Sequence, residues 1–299
     1  MTIINMVPSI LMIVAPILIA AIGGMICERA GVVNIALEGL MTIGAMTAAT
    51  THVLLETTIG FSIPLALCVG AIMGCLFSLI HAFASITLKA DQVISGTGIN
   101  LLSSGVTVFF CQLIFRADRT PNPRMGMLPG IGGIYPTAWL ALLLLGITWF
   151  VLYKRPWGLR LRAAGEHPSA LASAGVDVIR IRYIAVLISG ALAGLAGACI
   201  VFTQDIQFTV TTINGKGFIA LAAVSFGRWL PLGVLGSSFL FGLSSALAVN
   251  FINIRGLRFL PSEFFNAMPY FITLITLVIF SGKDYAPRSV GKPYDKGRS

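Results

Sequence analysis

Long apolar runs constrain the fold of this chain more than any other feature. A helix needs about 20 predominantly apolar residues to cross the hydrocarbon core of a bilayer. Runs of about this length cover residues 7–27, 61–88, 93–115, 135–152, 184–202, 232–252 and 264–280. Charged residues make up only 10% of the chain, whereas soluble domains average about 25%. The sequence therefore predicts an all-α polytopic membrane protein.

Two further apolar segments, 33–50 and 217–226, are short and interrupted by polar residues or glycine. Each contains the tripeptide Ile-Ala-Leu. Broken segments at matching places in two halves are typical of an inverted repeat, in which they line a transport route. Together with the longer runs they give about 8–10 transmembrane segments. We predict one transmembrane domain over residues 1–281, with halves at about 1–152 and 184–281.

The basic residues predict the orientation. The loop between the two halves, residues 153–183, carries six of them. With this loop in the cytoplasm and all segments crossing, 14 basic residues lie inside and 6 outside. The positive-inside rule then places the N-terminus outside and the C-terminus inside. The basic tail, 282–299, is expected as a solvated cytoplasmic end that contacts anionic lipid. The net charge of +9 is thus a topology signal and no indication of nucleic-acid binding.

Glu38 is the acid that lies well inside an apolar stretch. A carboxylate there costs several kcal/mol unless it is paired or hydrated. Two interpretations stay open at this point. Glu38 faces a water-filled transport route, or it is structural and caps a helix end or pairs with Arg29 or Arg228.

A polar stripe follows one face of the predicted helix 93–115, with Asn100, Ser104 and Thr107 at helical spacing. Such a stripe hydrogen-bonds a passing solute, while nearby phenylalanines stack on a planar ring. Polar contacts between helices explain the same pattern. The predicted pathway residues are Asn34, Glu38, Asn100, Ser104, Phe109 and Phe218. The lone His81 is predicted to be a hydrogen-bonded packing residue.

Several catalytic patterns are missing from the sequence. Its Gly-Lys pairs lack the rest of a phosphate-binding loop, and it has no nucleophile elbow and no metal-ligand helix motif. The five cysteines show no metal-binding spacing. We therefore expect no enzyme activity, no metal and no cofactor in this chain, which leaves a transport protein.

Several blocks of sequence resemble a known family. The stretch GLRLRAAGEHPSALASAGVDVIRIR, followed by SGALAGLAGA, is similar to the coupling region of permeases from ABC importers of the ribose and branched-chain amino acid type. The blocks ERAGVVNIALEGLMTIGA, TGINLLSSG and GKGFIALAAVSFGRWLPLG resemble the smaller permease subunit of the nucleoside (basic membrane protein) importers. These blocks lie between about residues 28 and 240.

This resemblance implies a division of labour in a bacterial cytoplasmic membrane. A second, homologous permease chain would complete the pathway, a cytoplasmic ABC ATPase would bind ATP and Mg, and an extracytoplasmic lipoprotein would deliver the solute. Residues 153–183 become the coupling loop that docks on the ATPase. Its characteristic positions in this chain are Arg162, Gly165, Glu166, Pro168, Ala172 and Gly175. Independently, Pro168 suits the first turn of a short helix and Gly175 suits its end.

The combined interpretation is an ABC importer permease that moves nucleosides by alternating access. The same machinery for riboflavin, a simple sugar or a branched-chain amino acid is an alternative. A second alternative, from another class, is an ion-coupled secondary transporter that uses Glu38. The sequence leaves open the solute, whether the two permeases are identical, and whether segments 33–50 and 217–226 cross fully or re-enter.

Overall fold

The computed structural model describes residues 7–58, 61–123, 128, 134–251, 271, 275 and 285–295. Its helices are α1 (Val7–Arg29), α2 (Leu37–Leu55), α3 (Ser62–Ala82), α4 (Gln92–Phe115), α5 (Pro136–Lys154), α6 (Pro156–Glu166), α7 (Pro168–Ser173), α8 (Val178–Thr203), α9 (Lys216–Phe226) and α10 (Pro231–Phe251). A π-helical turn, Phe83–Thr87, extends α3. Within these residues, α1, α3 with its extension, α4, α5 and α8 are long and apolar enough to cross a membrane. The all-α prediction is confirmed.

The first six predicted crossings fall on helices in the part of the chain that the structure describes, and the run 264–280 lies outside it apart from Phe271 and Ile275. Two boundaries differ. Most of the interrupted segment 33–50 lies in a continuous 19-residue helix, α2, which runs on to Leu55. Helix α8 begins at Val178, where the Asp177 side chain accepts a hydrogen bond from the backbone of Arg180. The end of the predicted loop is therefore helical.

Helices α1 and α8 form the buried centre of the molecule. In an apolar 18-residue stretch of each helix, 89% and 67% of the residues are buried. Glycines let α3 approach α8 closely. A Cβ on Gly74 would lie 2.7 Å from the Cα of Gly194, and one on Gly70 would lie 3.0 Å from the Cβ of Ala198. The spacing Gly70–Gly74 and Gly190–Gly194 is the small-residue pattern that permits such contact.

Helical structure is interrupted between α1 and α2, and we call residues 30–36 the break segment. Leu37, the first residue of α2, packs against Gly24, which lies five residues before the end of α1. At 1.5 Å per residue this is about 7 Å back into the protein. The break segment therefore turns inward, so that α2 begins beneath the surface of the bundle.

The C-terminal residues 285–295 pack against the molecule at the end that carries α6 and α7. The backbone N–H of Ser289 donates to the Gly165 carbonyl at 2.8 Å. Arg182 donates to the Lys292 carbonyl at 3.0 Å, and Lys89 pairs with Asp295 at 3.0 Å. These contacts hold the tail against the protein, and its composition alone did not predict them. Loop and tail lie on one side, as the predicted topology requires.

Candidate functional site

Side chains replace the helix hydrogen bonds that the break segment lacks. The Val33 N–H donates to Gln92 at 2.7 Å, and the Val33 carbonyl lies 3.0 Å from a ring nitrogen of His81. Asn100 donates to the Ile35 carbonyl at 3.0 Å. An unsatisfied backbone group would cost several kcal/mol in this setting. The hydrogen-bonded role predicted for His81 is confirmed, whereas Gln92 gave no signal in the sequence.

Glu38 caps the N-terminus of α9. One carboxylate oxygen accepts the backbone N–H of Gly215 and the other accepts that of Gly217, both at 2.7 Å. A carboxylate there accepts hydrogen bonds from amides that the first helical turn leaves unpaired. Its negative charge is also stabilised by the positive end of the helix dipole. Of the two interpretations of Glu38, the geometry is that of a structural helix cap. Arg29 instead donates to the carbonyl of Trp229.

The two predicted asparagines also make internal contacts. Asn34 is fully buried and donates to the Ser189 hydroxyl at 2.8 Å. The carbonyl oxygen of Asn100 accepts the backbone N–H of Gly39 at 2.8 Å. Asn100 therefore binds backbone beside the break, as Glu38 does, whereas Asn34 ties the break segment to α8. We call this meeting point of the break segment, α2, α4 and the start of α9 the central junction.

Two predicted residues present open surface beside the central junction. Ser104 is exposed on α4, one turn beyond Asn100. Its hydroxyl donates a hydrogen bond to the backbone carbonyl of Asn100 at 3.2 Å. Phe218, in the first turn of α9, is 49% exposed. Phe109 is 60% exposed but lies further along α4, with its ring against Phe110. The structure thus gathers five of the six predicted pathway residues, and Phe109 lies apart.

The coupling loop forms two helices. Pro168 stands at the first position of α7, as predicted. Gly175 ends it with a φ of 78°. Its N–H donates to Ala172, and the Val176 N–H donates to Leu171. This is the Schellman arrangement that glycine favours. The predicted short helix is confirmed, but residues 162–175 are not one helix, because α6 ends at Glu166 and α7 starts afresh after His167.

Three characteristic positions of the loop contact other parts of this chain. A Cβ on Gly165 would meet the Arg29 carbonyl, so this glycine allows α6 to press against the end of α1. Glu166 accepts hydrogen bonds from the tail. The Arg162 guanidinium lies 4.9 Å from the centre of the Tyr153 ring. Gly175 is exposed, and the other exposed positions of the loop are Lys154, Arg155, Pro156, Leu159, Arg160, His167, Ser169, Ala170, Ser173, Ala174, Asp177, Ile179 and Arg180.

These features define a class of protein. A membrane-embedded helical bundle has two broken segments that meet inside it and a helical loop exposed at one end, which is the form of a transport permease. The family model described as branched-chain amino acid transport system / permease component matches residues 6–280. The chain belongs to this family of permeases, and it is a multi-pass membrane protein.

Similar proteins cover nearly the whole chain. A guanosine ABC transporter permease protein, NupQ of Bacillus subtilis (strain 168), is 41% identical over 98% of this chain and 97% of its own length. A nucleoside ABC transporter permease protein, NupC of Lactococcus lactis subsp. cremoris (strain MG1363), is 38% identical over the same shares. NupP, a second guanosine ABC transporter permease protein of the Bacillus strain, is 26% identical over 95% of this chain and 83% of its own. No solved structure matches the chain significantly.

Proposed function

We propose that this chain is one of two permease subunits of an ABC importer that brings nucleosides into a bacterial cell. The observation that carries the proposal is similarity along the whole chain to two permeases that are named for guanosine and for nucleosides. The presence of a second, more distant guanosine permease in the same Bacillus strain supports a pair of different permease chains.

The solute would pass along the open surface beside the central junction. The exposed Phe218 ring offers a face for a planar base, and the Ser104 hydroxyl offers a hydrogen bond. Next to Ser104 on α4, a Cβ on Gly98 or Gly105 would meet nothing within 4 Å. This small, open helix face leaves room for the solute and for a second permease subunit.

The coupling loop would dock on a cytoplasmic ATPase that binds ATP and Mg, while an extracytoplasmic lipoprotein would deliver the solute. Small residues dominate the exposed side of α7, so this helix fits a narrow groove. The neighbouring Arg160 adds a positive charge at the rim, and its contribution falls with salt. The loop and the tail would then face the cytoplasm, and the N-terminus would lie outside.

The geometry disfavours the ion-coupled alternative. A coupling carboxylate has to exchange protons or ions with water during each cycle. Both oxygens of Glu38 are instead engaged by backbone amides at 2.7 Å. Releasing them would uncap α9.

Uptake by intact cells tests the proposal. The gene is deleted in its own host, and uptake of radiolabelled guanosine, uridine, riboflavin, glucose and leucine is compared with that of the complemented strain. We expect the deletion to reduce nucleoside uptake and the intact gene to restore it. Unchanged nucleoside uptake together with a loss of riboflavin, glucose or leucine uptake would contradict the nucleoside assignment.

A further inference from the structure

The turn between α9 and α10 has an unusual backbone. Arg228 and Trp229 are consecutive and both left-handed, with φ values of 53° and 54°. Residues with a Cβ disfavour this region. Such a conformation persists where the surrounding structure holds it in place. The contacts of Trp229 are therefore informative.

The indole N–H and the carbonyl of Trp229 are both bound to the end of α1. The indole N–H donates to a carboxylate oxygen of Glu28 at 2.5 Å, and the carbonyl accepts from the Arg29 guanidinium at 3.0 Å. Glu28 and Trp229 are 6% and 9% exposed. A buried carboxylate and a buried indole each need such a partner. The turn is thus fastened to α1 at two points.

The same end of α1 touches the coupling loop. The Arg29 carbonyl lies directly against Gly165 of α6, where even a Cβ would collide with it. At the other end of α9, Glu38 binds the amides of Gly215 and Gly217. Packed contacts therefore run without a gap from the coupling loop through α1 and Trp229 to α9 and the central junction.

We infer that the Glu28–Trp229 contact transmits movement of the coupling loop to α9, so that both are positioning residues for transport. This inference rests on the proposed function, because it takes α6 and α7 to be driven by an ATPase. Movement of α6 against α1 displaces the turn, and the turn carries α9 with it. Since α9 is short, with only 11 residues, it moves as one rigid piece about its capped end.

Cysteine labelling in the complete transporter tests this transmission. Ala220→Cys, at a fully buried position of α9, is placed in a background without native cysteines. Labelling rates are measured with the ATPase empty and with ATP and vanadate bound. We expect the nucleotide to change the rate in the parent protein, and Trp229→Phe to reduce that response about tenfold or more, the effect of one lost hydrogen bond to a carboxylate on a two-state equilibrium.

A matched set of variants separates loss of the Glu28–Trp229 contact from a general disturbance of the fold. Glu28→Leu removes the acceptor and should act like Trp229→Phe, while the double variant should lose no more than either single variant. Glu28→Gln retains an acceptor oxygen and should keep most of the response. Trp139→Phe is the control: it makes the same substitution in α5, where the Trp139 side chain is 57% exposed, and it should leave the response to nucleotide unchanged.

The outcomes distinguish this inference from the proposed function. A full nucleotide response in both Trp229→Phe and Glu28→Leu would overturn the transmission. Equal losses with Glu28→Gln and Trp139→Phe would also overturn it, since those variants keep the contact. Absence of nucleoside uptake by the parent transporter would contradict only the solute, because the labelling response needs no solute.

Discussion

Replacing Glu38 with glutamine tests whether its cap on α9 holds the central junction together. Each carboxylate oxygen accepts one backbone N–H at 2.7 Å. Glutamine keeps one acceptor oxygen but turns an NH2 group toward the other amide, so one hydrogen bond to a charged group is lost. Such a bond contributes about 1.5–3 kcal/mol, which corresponds to a roughly 10- to 100-fold increase in the population with α9 undocked.

The labelling rate of Ala220→Cys measures that population, because a buried thiol reacts only when its helix opens. We expect Glu38→Gln to raise this rate about 10- to 100-fold, in line with the loss of one charged hydrogen bond. Ala193→Cys, at a fully buried position in α8, is the control and should label at an unchanged rate. Equal labelling at position 220 with and without Glu38→Gln would refute the cap as the support of α9.

Three other experiments give distinct results. Asn100→Ala loses one contact to the break segment and one to the first turn of α2, and it should reduce transport about tenfold, measured as uptake per assembled complex. Ser104→Ala loses only a bond within its own helix and should change KM more than assembly. In intact cells a membrane-impermeant thiol reagent should label Asn122→Cys and spare Ser173→Cys, and the reverse pattern would invert the topology. Gly194→Leu drives a side chain into the backbone of α3 and should lower the Tm of the purified protein at a cost of about 1–3 kcal/mol; an unchanged Tm would contradict that packing.

The sequence predicted those features whose causes lie close together in the chain. Pro168 and Gly175 bound a short helix because helix starts and stops depend on local backbone preferences. The four-residue glycine spacing in α3 and α8 is also a local pattern that permits close packing, although it does not show that these two helices pack on each other. The crossings could be located for a similar reason, because the length of each apolar run is enough to predict a membrane-spanning helix there.

Features that depend on distant partners were not accessible in this way. The amides that Glu38 caps are 177 and 179 residues away in the chain, so only the folded protein decides between a cap and a free carboxylate. The contacts of the tail were not accessible either. Its charge suggests a solvated end, but Ser289 finds a backbone acceptor at Gly165, which is far away in sequence. The contact between Glu28 and Trp229 spans 201 residues and was also missed.

Transport by the purified complex tests the central proposal most directly. Both permease chains and the ATPase are reconstituted in liposomes with the lipoprotein and radiolabelled guanosine on the extracytoplasmic side and ATP on the cytoplasmic side. Guanosine should accumulate against its gradient only with hydrolysable ATP, it should do so without an ion gradient, and unlabelled nucleosides should compete. Accumulation that requires a proton or sodium gradient, or that glucose or leucine abolishes while nucleosides do not, would contradict the account.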